Sequence, residues 1–390
     1  MIKRIMAEKL KALASKFPVV SVIGPRQSGK TTLVRNVFAD MDYVSLEDPD
    51  TREFAHSDPR GFLATHNKGA VIDEAQRVPN LFSYIQTAVD SKKGASRFIL
   101  TGSQNILLQE NLSQTLAGRV AILRLLPLSI DELKTTKYSL NSPEDCLFRG
   151  LYPRIYDKHI EAGDWYPNYI QTYVERDVRL IKNISDLHAF QKFVKMCAGR
   201  IGQCLNFSSL GNDCGITHNT AKSWLSILEA TYLVFLIRPY HRNLNKRLIK
   251  MPKLYFYDTG LACSLLGIQN VAQLDTHYLK GSLFESFVLS EILKDRFNKG
   301  IEPNCFYWRD KTGNEIDCII ETGESVLSIE VKAGKTILED FFAGLRYWRQ
   351  LVRGADKNAY VIYGGDENQK RSYGSVVCWR NITSIFQRHK

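Results

Sequence analysis

Gly24-Pro25-Arg26-Gln27-Ser28-Gly29-Lys30-Thr31 is an uninterrupted G-x-x-x-x-G-K-[ST] pattern, and it directly follows the apolar run Phe17-Pro18-Val19-Val20-Ser21-Val22-Ile23. That placement decides the reading. A buried strand feeds a glycine-containing turn, and the spacing predicts a helix over 31–38 behind it. Glycines let the backbone approach a ligand closely, and the N–H groups that converge at a helix start attract negative charge. Residues 24–31, with Thr32 beside them, are candidate phosphate-binding residues, and the ligand they suit is a nucleoside triphosphate such as ATP.

The rest of the composition sets bounds. A chain of 390 residues is too long for one core and predicts two to four domains. No apolar stretch approaches the roughly 20 residues that cross a bilayer, and the first ten residues lack a signal-peptide core. The expectation is a soluble, cytoplasmic protein with no membrane partner. Eight cysteines form no C-x-x-C pair, so they read as reduced core residues. The net charge is +11 and unevenly spread: residues 190–260 hold ten Lys or Arg against three acids. An excess of that size is an electrostatic footprint for a polyanion, equally compatible with nucleic acid and with a solvated face.

A phosphate loop alone only binds. The second element, Gly69-Ala70-Val71-Ile72-Asp73-Glu74-Ala75-Gln76, is an apolar strand that ends in two carboxylates. Asp73 would hold Mg²⁺ beside the Thr31 hydroxyl, Lys30 would pair the β- and γ-phosphates, and Glu74 would prepare the attacking water. A third strand, Arg97-Phe98-Ile99-Leu100-Thr101-Gly102, runs into Ser103 and Gln104. Strand ends line the ligand crevice of a parallel sheet, so Ser103 is a candidate sensor of the γ-phosphate. Arg119, closing Leu116-Ala117-Gly118-Arg119, reads either as a plain surface residue or as an arginine that stabilises transferring charge from a neighbouring subunit.

These elements in this order resemble an AAA+ ATPase core. More narrowly, Tyr43-Val44-Ser45-Leu46-Glu47-Asp48-Pro49, Leu116-Ala117-Gly118-Arg119, Leu126-Pro127-Leu128-Ser129, Gly150-Leu151-Tyr152-Pro153 and Tyr173-Val174-Glu175-Arg176-Asp177 resemble a group of bacterial and archaeal AAA-type ATPases. Members of that group carry a C-terminal domain of unknown function. The resemblance implies ATP and Mg²⁺ as cofactors and a homo-oligomer, with a ring among the possible assemblies.

The expected fold class is α/β in four parts: a P-loop core over 1–135, a helical lid over 136–186, a winged-helix region over 187–275 and a restriction-endonuclease-like domain over 276–390. In the third part, Ala221, Trp224, Leu225 and Leu228 are spaced to face a core. That leaves His218, Asn219 and Lys222 outward, as in a helix-turn-helix, with strands 232–239 and 254–257 as a wing around Arg242, Lys246, Arg247 and Lys250. In the fourth, strands 314–320 and 326–332 form a hairpin. If it turns between Gly323 and Glu324, Asp317 faces Glu330, and Glu315 faces Lys332. Asp317, Glu330 and Lys332 resemble the PD-(D/E)xK nuclease pattern, with Glu285 matching the acid on its first helix, so Asp317 and Glu330 are candidate Mg²⁺ ligands. Three functions follow as expectations: an ATP-hydrolysing protein that acts on DNA, an ATP-gated nuclease, or a nucleotide-dependent protein scaffold.

Overall fold

Five strands rich in Val, Ile and Leu build the first layer: β1 (Val19–Ile23), β2 (Asp42–Ser45), β3 (Gly69–Asp73), β4 (Arg97–Gly102) and β5 (Val120–Arg124). They pair in parallel in the order β2-β3-β4-β1-β5. Every residue of β1 and β3 is buried, as strands covered on both faces require. Helix Met6–Ala14 packs Met6, Leu10 and Ala14, and helix Lys30–Val37 packs Leu33 and Val34, against Val20, Val22, Val71, Ile99 and Leu123. Ile23 is level with Gly102 and Arg124, and Ser45 with Asp73, so the carboxyl ends of the strands form one edge.

The computed structural model describes residues 2–91, 97–102, 115–138, 140–173, 184, 186–240, 250–322, 325–352 and 358–389. It divides into two units. The first comprises Met1–Leu128 with Ala230–Tyr232 and Arg296–Ile301; the second comprises Ser129–Glu229, Leu233–Asp295 and Glu302–Lys390. The segments expected as lid, winged helix and nuclease-like domain all contribute to the second unit.

That unit is organised by an eight-stranded mixed sheet. Its strands are β6 (Val234–Pro239), β7 (Lys253–Phe256), β8 (Cys305–Arg309), β9 (Glu315–Thr322), β10 (Ser325–Lys332), β11 (Ala359–Tyr363), β12 (Gln369–Arg371) and β13 (Gly374–Cys378), in the order β12-β13-β11-β10-β9-β8-β6-β7. Helix Ala343–Leu351 lays Leu345 and Trp348 on Trp308, Ile316, Ile319 and Val361. The motif Gly150-Leu151-Tyr152-Pro153 has a structural explanation here. Buried Asp258 caps helix Thr259–Leu265 and accepts bonds from the Leu151 N–H (2.7 Å) and the Tyr166 hydroxyl (2.6 Å). Burial pushes its carboxyl pKa up, against these donors.

Two sequence expectations change. Strands β6 and β7 pair antiparallel, but they do not stand apart as a wing: β6 also pairs in parallel with β8, through Arg238↔Phe306 and Pro239↔Tyr307, and all of β7 is buried. Arg242, Lys246 and Arg247 lie outside the described residues, and Lys250 is exposed. The hairpin register is the expected one, from Ser325↔Thr322 to Ile329↔Cys318. A bulge against β8, between Phe306 and Trp308, nevertheless breaks the strict alternation of β9: Ile316 and Ile319, three apart, enter the same core.

Candidate active site

The glycine spacing of the phosphate loop has a steric cause. Gly24 has φ +150°, and a Cβ there would lie 2.1 Å from the carbonyl oxygen of Leu125; Gly29 turns into the helix at φ +92°. Only glycine fits both positions without strain. Gly24, Pro25 and Ser28 are buried, while Arg26, Gln27 and Thr32 are exposed. A residue that the sequence reading missed braces the loop from below: buried Arg4 donates to the Ser28 carbonyl at 2.6 Å and the Leu126 carbonyl at 2.7 Å. Nothing local marks such an arginine, because its partners lie 24 and 122 residues away.

Lys30 is 6% exposed, and its Nζ donates to the carbonyls of Gly24 (3.0 Å) and Pro25 (2.8 Å). Burial brings its pKa down to about 8, with Glu74 and Asp73 opposing the shift. The ammonium is thus held on loop carbonyls that a phosphate can replace.

Asp73, the last residue of β3, is 6% exposed and ringed by hydroxyls. Its Oδ2 accepts from Thr31 at 2.9 Å and from Tyr43 at 2.7 Å, and its Oδ1 accepts from Thr101. Burial first, then the bond to Asp73, push the Tyr43 phenol pKa up, so Tyr43 stays a donor. A hydroxyl and a carboxylate in hydrogen-bond contact are the hard oxygen donors that Mg²⁺ takes, so this pair fits the ion. Tyr43 and Thr101 were not singled out as site residues in the sequence; they arrive from β2 and β4, the neighbours of β3 in the sheet.

Glu74 follows in the left-handed region, φ +55° and ψ +41°, and leads into the 3-10 turn Ala75–Arg77. Its carboxylate accepts a hydrogen bond from the Gln76 side-chain amide. Ser103 lies outside the described residues, but β4 ends at Gly102 on the same sheet edge. Arg119 sits elsewhere. It precedes β5, whose Val120 is level with Val19, the first residue of β1, and so occupies the edge opposite the phosphate loop. There its guanidinium clasps Asp90 at 2.6 and 2.9 Å on the surface.

In the second unit, Glu285, Glu315, Asp317, Glu330 and Lys332 do gather, together with a residue absent from the sequence reading. Lys253 of β7 is buried and pairs with Glu285 (3.1 Å) and with Glu315, while Lys332 pairs with Glu330 at 2.8 Å. The hairpin register is the expected one, but Glu315 and Lys332 form ion pairs with other residues rather than with each other. Asp317 accepts the Val331 N–H at 2.8 Å. Burial raises the Glu285 pKa to about 7, with Lys253 pulling it back, and burial pushes Glu330 well up too. For Lys253, burial opposes the charge, but Glu285, Asp317 and Glu315 outweigh it and raise the pKa. Among the described residues no group of three His, Cys, Asp or Glu is placed to hold a metal ion. Against the four acids stand Lys253, Lys332 and Arg309, which pairs with Glu315 at 3.3 Å.

Known proteins share parts of this chain. Residues 16–134 match the AAA domain family, residues 141–272 a domain of unknown function (DUF8612), and residues 280–382 another domain of unknown function (DUF4143). An uncharacterized protein of Mycobacterium tuberculosis is 28% identical over 338 residues, 86% of this chain and 74% of that one. An uncharacterized protein of Methanocaldococcus jannaschii is 23% identical over 358 residues, 83% and 76% of the two chains. Among solved structures, a Walker-type ATPase of Pyrococcus abyssi superposes with a TM-score of 0.48 at 15% identity, covering 68% of this chain and 96% of that one. The ORC2 protein of Aeropyrum pernix, in its ADP form, gives 0.34 at 12% identity, covering 70% and 95%. The stretch that matches the AAA domain family, residues 16–134, spans the five parallel strands, and its phosphate loop, Asp73 and Glu74 share one sheet edge.

Proposed function

We propose that this protein binds ATP with Mg²⁺ at the carboxyl edge of its parallel sheet, hydrolyses the terminal phosphate, and uses the cycle on DNA. The observation that carries the reading is the 2.9 Å contact between the Thr31 hydroxyl and Asp73, with Glu74 next in sequence and the phosphate loop on the same edge.

Residues 24–31 offer backbone N–H groups to the phosphates, and Lys30 exchanges its two carbonyl partners for phosphate oxygens. Thr31 and Asp73 would hold the cation, which would supply positive charge against the developing negative charge of the transferring phosphoryl group. Glu74 orients a water and takes its proton as the oxygen attacks phosphorus, while the bond to the leaving oxygen breaks to give ADP and phosphate. Ser103, from the segment after β4, reports on the γ-phosphate. Because Arg119 lies at the opposite edge of its own sheet, its catalytic role requires a second copy, and the homo-oligomer is part of the proposal.

The DNA arm rests on the helix pair Phe207–Cys214 and His218–Ala230. Ala221, Trp224, Leu225 and Leu228 are buried, and His218, Asn219 and Lys222 are exposed at the start of the second helix. A charge-rich region displaying such a helix start binds phosphates and reaches groove edges. ATP turnover measured with and without duplex DNA, across a salt series, tests the whole reading. Turnover stimulated by DNA, with stimulation falling steeply as salt rises, supports it. Turnover without any response to DNA leaves an ATPase whose partner is protein, and no turnover at all removes the hydrolytic reading.

A further inference from the structure

Gln76 is the third residue after the end of β3, and it is only 4% exposed. A fully polar side chain at that depth needs partners for both ends of its amide. One end has them: Nε2 donates to the Glu74 carboxylate. The other end, Oε1, is buried and has no hydrogen-bond partner among the described residues. The bond to Glu74 is thus the one that the Gln76 amide makes among the described residues.

The backbone is shaped to make this contact. Among the described residues Glu74 is one of five non-glycine residues with positive φ, a conformation that is strained for a side chain of its kind. In the following turn Val78 N–H bonds to the Ala75 carbonyl at 3.2 Å and Arg77 N–H to the Glu74 carbonyl at 3.0 Å, fixing the bend. The bend brings two side chains, two residues apart, into contact above the end of a strand. A regular strand would do so only by keeping the chain extended, and here the chain has already turned.

We infer that Gln76 is the positioning residue of the hydrolytic centre: its amide nitrogen fixes the Glu74 carboxylate in the orientation from which it takes a proton from the attacking water. This rests on the ATP-hydrolysing reading above. A carboxylate on a flexible side chain samples several rotamers, and holding it in one converts proton abstraction into a preorganised step.

The test uses the full-length protein and radiolabelled ATP with Mg²⁺. Gln76→Met keeps the length of the side chain and removes both polar atoms; Gln76→Glu keeps its shape and an acceptor but removes the donor and sets a second acid against Glu74. Both should lower kcat by about 10- to 1000-fold, with the Kd for ATP within about twofold of wild type. In a Glu74→Gln background, Gln76→Met should produce no further loss in single-turnover rate, because a residue that acts through Glu74 has nothing left to position. A kcat that survives either variant overturns the inference, as does a loss that multiplies with Glu74→Gln or that appears equally in Kd. If Gln76→Met alone fails to fold, Gln76→Glu gives the same decision. Wild type that binds ATP without turning it over fails the underlying reading, and the inference with it; wild type that turns over and needs Glu74 but not Gln76 fails the inference alone.

Discussion

Tyr43 and Thr31 donate to the same oxygen of Asp73, from 2.7 and 2.9 Å. One hydroxyl comes from the edge strand β2, the other from the helix behind the phosphate loop, and Thr101 holds the second oxygen from β4. Three elements therefore converge on one carboxylate. In the proposed Mg²⁺ complex, where the cation would take the Thr31 hydroxyl, Tyr43 is the side-chain donor left on that oxygen of Asp73, with Thr101 on the other.

Tyr43→Phe should weaken Mg²⁺ use rather than nucleotide binding. Losing an outer partner of a metal ligand changes affinity or activity by roughly 10- to 100-fold. The concentration of Mg²⁺ for half-maximal turnover should rise about tenfold, with ATP affinity in the absence of the cation unaltered. A superimposable Mg²⁺ titration would show that Tyr43 serves packing alone.

The Lys30 pKa of about 8 sets a pH dependence. Below that value the ammonium is already charged and ATP affinity should be flat with respect to this group. Above it the neutral amine must take up a proton to pair with phosphate, so affinity should fall by up to about tenfold per pH unit, the slope of one linked proton. Calorimetry at pH 8.5 in buffers of different ionisation enthalpy should register net proton uptake on binding. Proton release, or none, contradicts the buried-lysine geometry.

Arg119 and Asp90 form a solvent-exposed pair that water screens, so the arginine can leave Asp90 at little cost. If it serves a neighbouring copy, turnover per chain should rise with protein concentration, and Arg119→Ala should abolish that rise. Turnover proportional to concentration in wild type, and unchanged in the variant, returns Arg119 to the surface.

The C-terminal acid cluster makes a thermodynamic prediction. The folded-state pKa of Glu285 is about 7 against the ordinary 4.5, so the folded protein binds more protons than the unfolded chain between those values. Its contribution to stability is therefore best at low pH and declines as pH rises from 4.5 through 7, by an amount on the order of 2–3 kcal/mol. Thermal unfolding of wild type and Glu285→Gln compared at pH 5 and pH 8 isolates this term. The variant should gain on wild type at the higher pH, and equal pH responses would contradict the assignment.

The phosphate loop, the strand that feeds it and the Asp73-Glu74 pair were legible because their chemistry is local: a few consecutive residues carry both the hydrophobic period and the ligand groups. The hairpin register was legible for the same reason, since one turn fixes it. Arg4, Tyr43, Thr101 and Lys253 were not, because each acquires its role from a partner on another element. Lys253 in particular reads as one more basic residue in a charged stretch, yet it is buried between Glu285 and Glu315 once β6 joins β8 and extends the sheet. The wing was misread for a related cause: strand pairing across some 70 residues leaves no local mark. The bulge in β9 likewise cannot be seen in an alternating pattern that continues through it.

The claim on which the account depends is that the sheet edge carrying Thr31, Asp73 and Glu74 splits ATP. Release of ADP and phosphate from ATP and Mg²⁺, followed in wild type and Glu74→Gln alongside calorimetric affinity, tests it most directly. Hydrolysis at this edge requires nucleotide binding within about twofold in both proteins and turnover at least 100-fold slower in the variant, the scale of losing a general base. Turnover that persists in Glu74→Gln, or no uptake of ATP by the wild-type chain, would contradict it.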